Sequence, residues 1–132
     1  MYQPNTSIRK VDEHLLLAAV GWLAVAVVMA VYTGMAAGTP GLVHAYVFMV
    51  GFCATAIMGL TYRLFPGMKA SRLAKPQLWT WLAGTALLFS GRLVQDLGGA
   101  DGLFQFASVV AAAGAILFAA VFLGGRVIRP DL

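Results

Sequence analysis

The stretch Leu15–Thr33, LLLAAVGWLAVAVVMAVYT, runs without a charged residue. As an α-helix it would extend roughly 28 Å, close to the thickness of a bilayer's hydrocarbon core. Two further runs repeat the pattern: Ala45–Tyr62 (AYVFMVGFCATAIMGLTY) and Leu103–Leu123 (LFQFASVVAAAGAILFAAVFL). A fourth run, Leu78–Val94, is of similar length and carries Arg92 near its end. Of the 132 residues, 61% are hydrophobic and 11% charged, where soluble domains carry about a quarter charged. Spans at about 14–33, 44–65, 77–95 and 103–124 fill the chain and leave no room for a separate soluble domain. The expected fold is all-α: a single integral-membrane four-helix bundle over residues 1–132.

Lysine and arginine placement sets the expected orientation. Arg9 and Lys10 precede the first span, Arg63, Lys69, Arg72 and Lys75 lie around the second connection, and Arg126 and Arg129 follow the last span. The connection Gly34–Val43 is uncharged, and the third carries Asp96 and Asp101. All basic segments then share one side, which puts both termini in the cytoplasm of a bacterial inner membrane. The net charge of +4 is a topology signal with some attraction for anionic lipid, and nucleic acid is not an expected partner. The lone Cys53 falls mid-span, where it packs as a small apolar side chain. The first apolar run is too long for the core of a cleavable signal peptide, and Asp12 and Glu13 stand ahead of it.

Local signals mark the helix ends. Asp12 and Glu13 suit the positive end of the first helix, with Asp12 as its cap. Gly34, Gly38, Pro40 and Gly41 make a short turn, Pro66-Gly67 stops the second helix, and Pro76 opens the third. Trp79 and Trp81 fall at a membrane boundary, and Gly98-Gly99 and Gly124-Gly125 end the last two spans.

One residue bears on chemistry. His44 opens the second span on the side away from the basic segments, where a neutral imidazole can ligate a metal. At about 100° per residue, Gly51, Thr55, Gly59 and Tyr62 fall within about 60° of it. Such a stripe leaves space for a flat macrocycle, and its spacing equally suits close packing of helices through small residues. His14 stands at the opposite end of the membrane, about 28 Å of helix rise away, so the two histidines cannot share one metal. No phosphate-binding glycine loop, nucleophile elbow, Ser/His/Asp set or CxxC pair is present.

The segment His44-Ala45-Tyr46-Val47-Phe48-Met49, with Gly59 and then Phe65-Pro66, resembles the second transmembrane helix of haem-copper oxidase subunit I. The resemblance spans His44 to Met68. In that family, which includes nitric oxide reductases and cbb3-type oxidases, a histidine at this position ligates the low-spin haem. The resemblance implies that His44 is an axial ligand of haem b. It also limits the activity: the family uses about twelve spans and six metal-binding histidines, against four spans and two histidines here. Reduction of oxygen or nitric oxide by this chain alone is not expected, and no catalytic residue is assigned.

Three arrangements would complete the iron's coordination. Met35 can supply a thioether, His44 of a second copy can sandwich one haem at a homodimer interface with the Gly51/Thr55/Gly59 stripe at the seam, or the sixth position stays open to a gas. Arg92 can hold the propionates, or pair with Asp96 four residues on. The expected function is one-electron transfer with an unidentified redox partner, or redox or gas sensing. The competing expectation is a cofactor-free structural or assembly subunit of a larger membrane complex. A proton-coupled transporter is disfavoured, because such proteins need an acid embedded in the membrane and Glu13 stands only at a helix start.

Overall fold

The computed structural model describes residues 10–35 and 43–125. Four helices make up the bundle: α1 Val11–Met35, α2 Val43–Leu64, α3 Ala74–Asp96 and α4 Gly102–Gly125. The described residues contain no strand. α1, α2 and α4 are each long and apolar enough to cross a membrane. The segments 36–42 and 126–132, and with them Gly38, Pro40, Gly41, Arg126 and Arg129, lie outside the described residues, as does Arg9.

α3 is of matching length but more polar, and its place in the bundle accounts for that. It buries Gln77 and Thr85 completely, together with Leu78, Trp81, Leu88 and Phe89. A helix that faces protein can carry amides and hydroxyls, provided that they find partners there. They do: Gln77 accepts a hydrogen bond from the Tyr62 hydroxyl (3.1 Å) and donates to the Gly114 carbonyl (3.4 Å), while Thr85 donates to Leu82 (3.0 Å). Tyr62 and Gln77 thereby tie α2 to α3, and Gln77 ties α3 to α4.

The chain forms two antiparallel hairpins. In the first, Asp12 at the start of α1 meets Arg63 at the end of α2 (3.1 Å). In the second, α3 and α4 approach so closely that glycines are required. A Cβ on Gly84 would fall 2.8 Å from the Ala111 nitrogen, and one on Gly91 would fall 2.7 Å from the Phe104 nitrogen. One on Gly114 would lie 3.0 Å from the Trp81 backbone. The hairpins join through two apolar clusters. One holds Leu15, Met58, Tyr62, Leu78, Trp81 and Val121, and the other holds Ala26, Val47, Leu88, Phe89 and Ala107.

Pro66 keeps the preceding Phe65 out of the helical conformation (φ −121°, ψ 80°), which ends α2, and a 3-10 turn, Pro66–Ala70, follows. Met68 of that turn is fully buried and packs so close to Gly125 that a Cβ there would lie 2.6 Å from its Cα. α3 ends in a Schellman motif. Gly98 takes φ 85° while its N–H bonds to the Gln95 carbonyl (2.9 Å) and that of Gly99 to the Val94 carbonyl (2.8 Å).

The glycine contacts predict a contrast between two substitutions. Gly84→Ala should destabilise the protein by about 1–3 kcal/mol, because the added methyl meets backbone that cannot rotate away. Gly21→Ala, with nothing within 4 Å of the new carbon, should be neutral or slightly stabilising. Thermal unfolding in detergent should rank them in that order; equal midpoints would refute the close α3–α4 approach.

Candidate functional site

α2 is not uniform. Between an α-helical first turn, Val43–Tyr46, and an α-helical end, Thr55–Leu64, the residues Val47–Ala54 form a π-helical stretch. Such widened turns are rare and occur often at functional sites. The Thr55 hydroxyl donates to the carbonyl of Val50, five residues back (3.2 Å), and accepts from the Trp81 indole N–H (2.9 Å). A tryptophan on α3 thus fixes the hydroxyl that supports the end of the widened segment.

His44 lies in the first turn of α2, half-buried. It lines an apolar groove of about 490 Å³ between α1 and α2, with Ala26, Val27 and Ala30 on one side and Ala45, Phe48 and Met49 on the other. Three of these side chains are single methyl groups, so the groove is broad beside the imidazole. Phe48 and Met49 are 44% and 61% exposed, which leaves its outer wall uncovered by the other described residues.

The stripe below His44 is occupied by protein. A Cβ on Gly51 would lie 2.9 Å from the Trp22 side chain and 3.1 Å from Phe89. The two rings meet edge to face there, with centroids 4.6 Å apart. One on Gly59 would lie 2.9 Å from Leu16. Gly51 and Gly59 therefore admit side chains of α1, and Thr55 turns to α3. The stripe is an intrachain seam, the close helix packing through small residues that its spacing suits, and Gly51 and Gly59 do not lie at a contact between two copies. The reason is steric: a large residue of α1, Trp22 or Leu16, stands opposite each glycine.

Arg92 takes the partner that its spacing allowed. It forms an ion pair with Asp96 (3.0 Å), donates to Gln95 (3.2 Å), and sits 5.8 Å from the Tyr46 ring centre and 5.9 Å from that of Phe104. Asp96 also accepts the backbone N–H of Val43 (3.0 Å), and so serves the open amino end of α2. Tyr46 stands about 200° around α2 from His44, so Arg92 and His44 share one end of the bundle but occupy different sides of that helix. Arg92 acts on His44 through position: with Asp96 it fixes the helix end that carries the imidazole.

The other sequence-derived residues fall elsewhere. Met35 is the last residue of α1, and its side chain lies outside the described residues. His14 is exposed, with Nδ1 2.6 Å from the Lys10 carbonyl, at the opposite end of the bundle from His44. Asp12 sits inside the first turn of α1 rather than ahead of it, and its carboxylate takes Arg63 and Lys69 (3.2 Å) as partners. Among the described residues, no group of three or more His, Cys, Asp or Glu side chains is placed to hold a metal ion.

The double role of Asp96 predicts a graded loss. Asp96→Asn keeps an acceptor for Val43 and weakens the Arg92 pair; Asp96→Ala removes both. The alanine variant should be less stable than the asparagine variant by about 1 kcal/mol in thermal unfolding, and equal stabilities would refute the capping role.

No family model matches this chain, and no curated protein or solved structure is significantly similar to it.

Proposed function

We propose that this chain is a multi-pass protein of a bacterial inner membrane that binds haem b through His44. A second copy of the chain closes the site and supplies the opposing imidazole. The observation that carries the reading is the groove itself: an imidazole at the edge of an apolar space of about 490 Å³, walled by alanines and, among the described residues, uncovered on its outer side. A planar, largely apolar macrocycle suits such a space, and sequence resemblance to the low-spin haem helix of haem-copper oxidases points to the same histidine.

Bound haem supplies reversible one-electron chemistry, or gas binding if one axial position stays open. The chain's own residues then have distinct tasks. His44 offers a ring nitrogen to the iron. Ala26, Ala30 and Ala45 keep the wall flat, while Phe48 and Met49 exclude water. Arg92 and Asp96 hold the end of α2 in place. The orientation proposed has Lys10, Arg63, Lys69, Arg72 and Lys75 in the cytoplasm and His44 towards the outer face. A soluble or membrane redox partner would exchange electrons on that outer side.

One observation favours a second reading, a cofactor-free subunit that packs within a larger membrane complex. The glycines Gly51 and Gly59 are fully used by Trp22 and Leu16 and need no ligand to explain them.

Optical spectra separate the two. Purified in detergent, the protein should show a Soret band and, on reduction with dithionite, resolved α and β bands of low-spin haem, all lost in His44→Ala. A colourless protein that stays colourless after haem is added would refute the haem reading and favour the packing subunit.

A further inference from the structure

The end of the α1–α2 hairpin remote from His44 carries a second groove, of about 340 Å³, lined by Glu13, Leu16, Leu17, Val20 and Arg63. Its chemistry differs from that of the first. Glu13, Leu16, Leu17 and Val20 follow one another at the i, i+3, i+4, i+7 spacing that places them on a single face of α1. That face is acidic at its mouth and aliphatic for about 10 Å below it. Across the groove stands Arg63 of α2, whose Nε is held by Asp12 (3.1 Å) while 55% of its side chain stays exposed. Glu13 and Arg63 form no ion pair with each other, and among the described residues no hydrogen bond or ion pair engages the Glu13 side chain.

We infer that this groove binds one phospholipid with a phosphoethanolamine headgroup, its phosphate on Arg63, its ammonium on Glu13, and the start of one acyl chain along Leu16, Leu17 and Val20. Charge complementarity selects the occupant. An anion alone would satisfy Arg63 and be repelled by Glu13. A zwitterion whose positive end has N–H groups meets both, and a quaternary ammonium cannot donate the hydrogen bond that a carboxylate accepts. The acidic mouth also lies at the start of a helix passing through the bilayer's interfacial depth, where headgroups stand. Asp12 has a separate part: paired with Arg63 and Lys69, it fixes the guanidinium at the rim.

The test measures lipid retention by native mass spectrometry of the full chain in detergent. Phosphatidylethanolamine, phosphatidylcholine and phosphatidylglycerol are offered with identical acyl chains. Retention of one phosphatidylethanolamine is expected, with about fivefold preference over either of the other two. Glu13→Gln should remove the preference over phosphatidylcholine without changing the helical content. Val20→Trp, which fills the groove from an exposed position, should reduce retention of all three lipids. The inference is overturned if phosphatidylglycerol binds best, if the three bind equally, or if Val20→Trp leaves phosphatidylethanolamine bound as before.

Discussion

Two aspartates, one near each end of the bundle, fix the geometry on which the rest depends. Asp96, the last residue of α3, pairs with Arg92 and accepts the Val43 N–H at the open end of α2. Asp12, in the first turn of α1, holds Arg63 at the far end of α2 and Lys69 in the 3-10 turn. α2 is thus clamped at both ends by carboxylates from different helices. In an apolar bundle a carboxylate without a partner is costly, so each such contact also selects one register of the helices. The Arg92–Asp96 side chains are 23% and 11% exposed, which is buried enough for that selection to operate.

Between the clamps, small residues and polar side chains divide the work. Gly84, Gly91 and Gly114 bring α3 and α4 together, while Gly51 and Gly59 admit Trp22 and Leu16 of α1. The hydroxyls and amides cross between helices where backbone distance permits: Tyr62 to Gln77, Gln77 to Gly114, Trp81 to Thr55. The Trp81–Thr55 bond has a further consequence, since Thr55 ends the π-helical stretch that begins three residues after His44. The first turn of α2 and its later, regular part are therefore held by different neighbours, and the groove beside His44 opens where the α1 side chains shrink from Trp22 to Ala26 and Ala30.

Much of this was legible in the sequence, and for identifiable reasons. The apolar runs specified helices, because length and lack of charge leave few other structures available in lipid. Pro66, Gly98 and Gly99 marked breaks that the backbone makes, since proline and glycine act locally. The pairing of Arg92 with Asp96 was readable from its four-residue spacing. What a single helix's periodicity could not show is who stands opposite. The Gly51/Thr55/Gly59 stripe could be read as a cofactor platform, a dimer seam or an intrachain seam, and only the position of Trp22 and Leu16 decides how it is used here. The α3–α4 seam, with Gly84 against Ala111, Gly91 against Phe104 and Gly114 against Trp81, is likewise decided by which residues stand opposite and not by spacing within one helix. The π-helical stretch has no sequence signal of comparable strength. In the sequence Asp12 has the marks of a cap and its long-range partner Arg63 those of a topology anchor, because pairing between distant residues follows from the fold alone.

In the proposed function, His44 and the alanine-walled groove form half of a haem site completed by a second copy. The native mass of the complex tests it most directly. Two chains carrying one haem are expected, with His44→Ala giving chains without haem. Intact wild-type protein with no haem after reconstitution, or a single chain holding a haem of its own, would contradict it.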